Sequence, residues 1–211
     1  MEIASELAAY RRRLKLLGDY RESALKAILR TEAIFVHIPK TGGKTVIKDF
    51  YGLPQHYWFG HAKPDFYKAL LGPRRYRNFF KFSIVRDPVD RCRSGFFFGK
   101  GGGFDTEHDQ EFAKFVKDMS FDEFILDGHL EQWSDRYIFE PQSSYLVSEG
   151  QMLVDRIYYT GRLERLFRDL KMAVPEISHE NRSQYKKHKL DQKIVEKIRS
   201  VYRKDYEVID F

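Results

Sequence analysis

The run AIFVHIPKTGGKTV, Ala33 to Val46, restricts the fold more than any other part of the 211-residue chain. AIFVHI is an apolar run suited to a buried parallel strand, the two glycines suit a tight turn, and the residues beyond them suit the first turn of a helix. That order of elements is the build of a phosphate-binding loop. The ending GGKT resembles that of a nucleotide-triphosphatase loop, but the beginning does not. With Gly43, Lys44 and Thr45 closing a G-x-x-x-x-G-K-[ST] pattern, position 38 requires glycine, and this chain has Ile38 followed by Pro39. Neither residue adopts the positive-φ turns that glycine supplies. A shorter loop, PKTGGKT, remains. Its N–H groups near Gly42–Thr45 fall at a helix N-terminus, where anions are favoured, and Lys40 reaches over the anion from ahead of the glycines. The competing reading of Lys40 is a lysine on a surface turn.

Two further strands follow, FFKFSIVRD and DRIYYTG, separated by helical patterns. Alternating strands and helices predict an α/β fold, a P-loop-like three-layer arrangement with a mainly parallel sheet flanked by helices. The length suits one domain, residues 1–211, with residues 1–30 as a helical extension that can break at Gly18. In such sheets ligands bind at the carboxyl ends of strands. Three places meet that condition: the loop after Val36, Arg86 after Val85, and Arg162 after the Tyr158–Tyr159 strand.

Helices are expected from about Gly43 to Tyr51, over DFYKALLG closed by Gly72, from Pro88 with Asp87 as N-cap, over EFAKFVKDM, over SFDEFILDG capped by Ser120, over RLERLFRDLKMA, and from Asp191 to the end. LPQHYWFGHAKP reads as loop, with a short strand as the alternative, and the glycine-rich run Gly99 to Asp109 is the candidate mobile segment. The tandem FFF at 96–98 reads as core.

Arg86 at a strand end and Ser94, about two helical turns on, can clasp one phosphate from two sides, arginine through a charged bidentate contact and serine through a neutral one. Asp87 can be read as a magnesium-holding acid, but its place before Pro88 makes helix capping the simpler role. Cys92 is the only cysteine, so no intrachain disulfide forms; it reads as a helix-packing residue, with a nucleophilic role as the lesser alternative.

HIPKTGG followed about 45 residues later by IVRDPVDRCRSGFFF closely resembles the sulfotransferase family that includes the uronyl and heparan sulfate 2-O-sulfotransferases and their bacterial relatives. PQSSYL, YYTGRLERLFRDL, HENRS and VYRKDYEVI resemble the same family in the same order, so the likeness runs from Ala33 nearly to the end. These enzymes use 3′-phosphoadenosine 5′-phosphosulfate (PAPS) and release the bisphosphate PAP. The resemblance implies that Lys40, Thr41, Gly42, Gly43, Lys44 and Thr45 bind the 5′-phosphosulfate, and that Arg86 and Ser94 bind the 3′-phosphate. It also implies a role for Asn181 and Ser183 near the 3′-phosphate and adenine. Lys44 departs from the family, which commonly has threonine or serine there.

Sulfuryl transfer of this kind needs an in-line path and stabilisation of the leaving phosphate, a task that suits Lys40 and the loop amides and requires no metal. The acceptor hydroxyl must lose a proton, and a histidine suits that near neutral pH. Among seven histidines, His61 in FGHAKPDF resembles the segment that carries the base in the 2-O-sulfotransferase branch; an ordinary loop histidine is the alternative. His37 reads as structural, His56 as a neighbour of the same segment, His108 and His129 as acceptor-side candidates, and His179 and His188 as cofactor-side. Arg162 can contact the nucleotide or brace Glu164.

Net charge is +6 and pI about 9.2, which suits an anionic partner. The basic clusters at 11–13, 74–77 and 186–189 can meet an anionic surface or substrate, and Tyr57, Trp58, Phe59 and Trp133 can stack on sugars or pack in the core. The acceptor expected is a carbohydrate or glycolipid, which can be anionic. No nucleic-acid signature accompanies the charge, so a nucleic-acid or glycan binder ranks below an enzyme, as does a small ATP–magnesium kinase suggested by GGKT and Asp87. No secretory signal or membrane span is legible, which predicts a cytoplasmic enzyme unless an anchor has been trimmed.

Overall fold

The computed structural model describes Ser5, Ala8 and residues 24–54, 58–170 and 189–211. The expected break at Gly18, the 11–13 cluster, His56, Tyr57, His179, Asn181, Ser183, His188 and residues 186–188 of the last basic cluster lie outside the described residues. In chain order the elements are α1 (Ala24–Thr31), β1 (Ala33–Val36), α2 (Gly43–Thr45) running into a π-helical turn (Val46–Phe50), α3 (Pro64–Leu71), α4 (Pro73–Asn78), β2 (Phe80–Val85) and α5 (Pro88–Lys100). Then come α6 (Glu107–Phe115), α7 (Phe121–Leu126), α8 (His129–Gln132), α9 (Ser143–Leu146), β3 (Val147–Ser148), β4 (Gln151–Met152), β5 (Arg156–Tyr159), α10 (Glu164–Asp169), α11 (Gln192–Val201) and α12 (Arg203–Val208).

The fold is mixed α/β, with a three-stranded parallel sheet in the order β1-β2-β5 flanked by helices. The chain divides into two compact units, residues 1–85 with 145–175, and residues 86–144 with 176–211.

The first unit holds the sheet. Every residue of β1 is buried, as its unbroken apolar run requires. β1 pairs only with β2 among the described strands, and its outer carbonyls are met by side chains. Tyr51 Oη donates to Ala33 O at 3.0 Å, and Tyr67 Oη donates to Phe35 O at 3.1 Å. These bonds cover an edge that would otherwise present unpaired backbone groups. Ser83 of β2 donates to Val36 O at 2.7 Å, fixing the last residue of β1.

The second unit is built on aromatic packing among α5 to α8 and α11. Phe96, Phe112, Phe124, Phe139 and Tyr202 are buried there with Cys92. Burial pushes the Cys92 thiol up to about 12, despite an opposing pull from Arg91, so at neutral pH it is a packed thiol. FFF is only partly core: Phe96 is buried, whereas Phe97 is 36% exposed. Successive helical residues turn by about 100°, so three in a row cannot share one buried face.

Two more expectations are corrected. The helix expected from Glu111 begins at Glu107, because Thr106 and Asp109 form a capping box inside the glycine-rich run. Asp109 also gathers other groups of that run. Asp109 accepts from Phe104 N at 3.0 Å, from Thr106 Oγ at 2.8 Å and from Tyr137 Oη at 2.9 Å. Burial acts to raise its carboxyl, but these hydrogen bonds outweigh that and hold it below the usual range. The closing helix is two helices, divided at Tyr202, whose hydroxyl donates to Phe139 O at 2.8 Å.

Candidate functional site

The loop between β1 and α2 lies in the first unit. Its left-handed residues are Lys40 (φ 65°) and Gly42 (φ 87°), not position 38, so the turn is shorter than a triphosphate cradle. A lysine held at positive φ is strained, a condition that functional loops often carry. Thr41 is buried; its hydroxyl donates to Ile38 O at 2.9 Å, so it shapes the turn from inside. Its carbonyl accepts from Thr160 Oγ at 2.6 Å, and the same hydroxyl lies 3.1 Å from Val85 O. Thr160, at the end of β5, thus pins the loop to the end of β2. Lys44 is exposed and Thr45 partly so. The helix continues from Thr45 as a π turn, a departure from α geometry that is common at functional sites.

The loop and His61 meet through His37. His61 Nδ1 lies 2.9 Å from His37 O, and a carbonyl only accepts, so Nδ1 carries the proton and a neutral His61 has its lone pair on Nε2. The two rings are 4.5 Å apart, and His37 stacks on Phe35 at 5.2 Å. A Cβ built on Gly43 would overlap the His37 ring and come within 2.9 Å of Phe35 Cε1. Although His37 as a residue keeps some exposure, this enclosure of its ring is the largest cause that lowers its pKa well below 6.5. His61 lowers it further, Lys44 does so slightly, and a hydrogen bond to the Gly60 backbone works the other way.

Arg86 and Ser94 belong to the second unit. Asp87 is the N-cap of α5: its Oδ1 accepts from Val89 N at 2.9 Å and Asp90 N at 3.1 Å, and its Oδ2 from Tyr206 Oη at 3.3 Å. Burial foremost, then the Asp87 charge, pushes the Tyr206 phenol up to about 12. Arg86 is held by its backbone. Gln142 Oε1 accepts from Arg86 N at 3.0 Å and Gln142 Nε2 donates to Arg86 O at 2.8 Å. Gln142 is itself seated by buried Asp205, whose carboxylate accepts from Gln142 N at 3.0 Å and Ser143 N at 2.8 Å. Ser94 is the seventh residue of α5 and 3% exposed, and its hydroxyl makes no hydrogen bond among the described residues.

By its chemistry the loop suits an anionic group: it offers a lysine, a hydroxyl and the N–H groups of a first helical turn, with no acidic residue between His37 and Lys48. The second unit, taken by itself, offers an arginine and a nearly buried hydroxyl, which suit a phosphate.

Thr160, Gln142 and Asp205 escape a reading of motifs. The family-like PQSSYL, YYTG and VYRKDYEVI runs contain all three, but do not show their partners. Arg162 is exposed and makes no ion pair with Glu164 among the described residues. Trp58 is core, its ring tilted against Tyr51 at 4.5 Å, and so does not serve as a sugar platform. Phe59 is half-buried against Tyr67. In the second unit, Arg136 lies over the half-buried Trp133 ring and within 3.1 Å of His108 Nδ1, while His129 meets Phe115 edge-on. Arg74, Arg75 and Arg77 are exposed on α4, a helix absent from the sequence expectation. Among the described residues no three His, Cys, Asp or Glu groups gather as a metal site would require, and no helix is long and apolar enough to cross a membrane.

One family model, described as Sulfotransferase family, matches residues 30–211 and so spans both compact units. No curated protein matches the chain, and no solved structure does.

Proposed function

We propose that this chain, which belongs to the sulfotransferase family, transfers the sulfuryl group of PAPS to a hydroxyl of a carbohydrate acceptor. The observation that carries the reading is the joining, within one unit, of the Lys40 loop to a histidine whose lone pair is directed to Nε2 by the His37 carbonyl. PAPS, when bound, supplies the activated sulfuryl group and a phosphate leaving group.

In this reading Lys40 meets the charge that grows on the leaving oxygen, and the N–H groups of Gly42, Gly43, Lys44 and Thr45 with the Thr45 hydroxyl orient the phosphosulfate. Thr41 and Thr160 keep the loop in shape rather than touch ligand. His61 takes the acceptor proton on Nε2 while Nδ1–H stays on the His37 carbonyl, so the imidazolium it forms already has one hydrogen bond in place. Arg86 and Ser94 hold the 3′-phosphate, which distinguishes PAPS from nucleotides lacking it. Asn181 and Ser183 are assigned to the same end of the nucleotide by resemblance. The acceptor is a carbohydrate or glycolipid hydroxyl, the chain is one sulfotransferase domain, and the setting is the cytoplasm.

Calorimetric titration with PAP tests this reading. Micromolar binding is expected, weakened tenfold or more by Lys40→Ala and by Arg86→Ala. Absence of binding at millimolar PAP would remove the proposal; binding equally tight in both variants would remove the site assignment.

A further inference from the structure

His37 has no place in the chemistry above, yet it touches both halves of the proposed catalytic pair. On one side its ring fills the space that any side chain at Gly43 would need. Gly43 is helical and not at positive φ, so backbone conformation does not demand glycine there. The demand comes from the ring. On the other side, its carbonyl holds His61 Nδ1 at 2.9 Å, its ring lies 4.5 Å from the His61 ring, and it bonds to the backbone at Gly60. Phe35 supports the stack from beneath at 5.2 Å.

We propose that His37 is a positioning residue: its ring is wedged between the phosphate loop at Gly43 and the Gly60–His61 segment and fixes the base against the loop, while its backbone carbonyl sets the His61 tautomer. The inference rests on the reading of His61 as the base. It assigns His37 no contact with the reacting atoms. Two features of the wedge suit the role. A ring can be gripped on both faces and at its edge, which an aliphatic side chain cannot offer. The ring is also kept neutral, so a proton arriving on His61 does not meet a second cation across the stack. The groups facing His37 are His61 and Lys44; with both positive or capable of becoming so, a charged His37 would oppose proton uptake by His61.

Two measurements test the wedge, and neither needs the acceptor. The first is two-bond ¹⁵N–¹H correlation of imidazole-labelled protein, assigned with His37→Ala and His61→Ala. In wild type, neutral His61 is expected as the Nδ1–H tautomer; His37→Ala keeps the carbonyl but removes the ring that holds the Gly60–His61 segment against it, and a mixture with Nε2–H is expected there. The second is PAP affinity. Gly43→Ala is expected to weaken PAP binding at least tenfold, and His37→Ala in the same chain to restore it to within about threefold, since removal of the ring gives the new methyl room. His61 found as Nε2–H in wild type, or unchanged by His37→Ala, would overturn the inference. So would a Gly43→Ala penalty equal in both backgrounds, which would assign the crowding to Phe35. Failure of the base reading has a separate signature: His61→Ala would keep PAPS-dependent turnover while the tautomer and rescue results stood.

Discussion

Gln142 grips the backbone of Arg86 with both ends of its amide, accepting from Arg86 N at 3.0 Å and donating to Arg86 O at 2.8 Å. It therefore acts as a strand partner for the residue that follows β2. Asp205 completes the arrangement by holding Gln142 N at 3.0 Å. This chain of hydrogen bonds fixes the Arg86 backbone, the point from which its side chain extends, although neither Gln142 nor Asp205 is proposed to touch ligand.

Gln142→Ala removes both bonds to Arg86 and leaves buried polar groups unmet. Loss of a buried partner costs about 1–3 kcal/mol. Urea unfolding is expected to show a loss of that order, and calorimetry a PAP affinity at least tenfold weaker. Unchanged PAP affinity with lowered stability would mean that Arg86 is aimed by something else.

Thr160→Val keeps the shape of the side chain and deletes only the hydroxyl that bridges Thr41 O and Val85 O. A net loss of about 1 kcal/mol is expected on folding. The larger effect belongs to the ligand, because the Thr41 carbonyl sits in the turn before Gly42. The KM for PAPS is expected to rise several-fold while kcat stays within about twofold, which steady-state kinetics would read directly.

Lys40 and Lys44 separate function from conformation. Lys40 sits at φ 65°, which glycine adopts without strain. Lys40→Gly is therefore expected to be no less stable than wild type, and more stable by up to about 1 kcal/mol, while losing turnover by two orders of magnitude or more. Lys44 is exposed, and Lys44→Thr is expected to change PAP affinity by less than about threefold. Thermal melts paired with PAP titrations would check both. A large loss on Lys44→Thr alone would return the reading to a triphosphate-like loop.

What the sequence makes legible here is local. The strands at Ala33–Val36, Phe80–Val85 and Arg156–Tyr159 are read from apolar runs, and Asp87, Ser120 and Asp191 as caps from the residues beside them. The Thr106–Asp109 capping box was equally local but stood inside a run of glycines that suggests looseness. Distance hides the rest. Gln142 finds Arg86 across 56 residues and Thr160 finds Thr41 across 119, and no spacing rule joins such pairs. The PKTGGKT loop and the GH segment are visible as motifs, but the ring that links them is not. His37 reads as structural from its place at a strand end; only the geometry reveals that Gly43 and His61 both depend on it.

His37 also gives stability a pH dependence whose sign follows from its neutral state. Its folded pKa lies well below 6.5, while in the unfolded chain it stays near that value. Between the two, the unfolded chain binds a proton that the folded chain refuses, so stability falls as pH drops below about 6.5 and continues to fall until the folded pKa is reached. The slope for one such group is at most about 1.4 kcal/mol per pH unit. His37→Asn, which cannot titrate, is expected to be less stable at pH 7.5 because the wedge is lost, yet to show a shallower decline between pH 6.5 and 5. Urea unfolding of both proteins across that interval measures the difference. Parallel curves would mean that the folded protein lets His37 take a proton readily, and the enclosure by Phe35, Gly43 and His61 would then not be tight enough to hold the base in place.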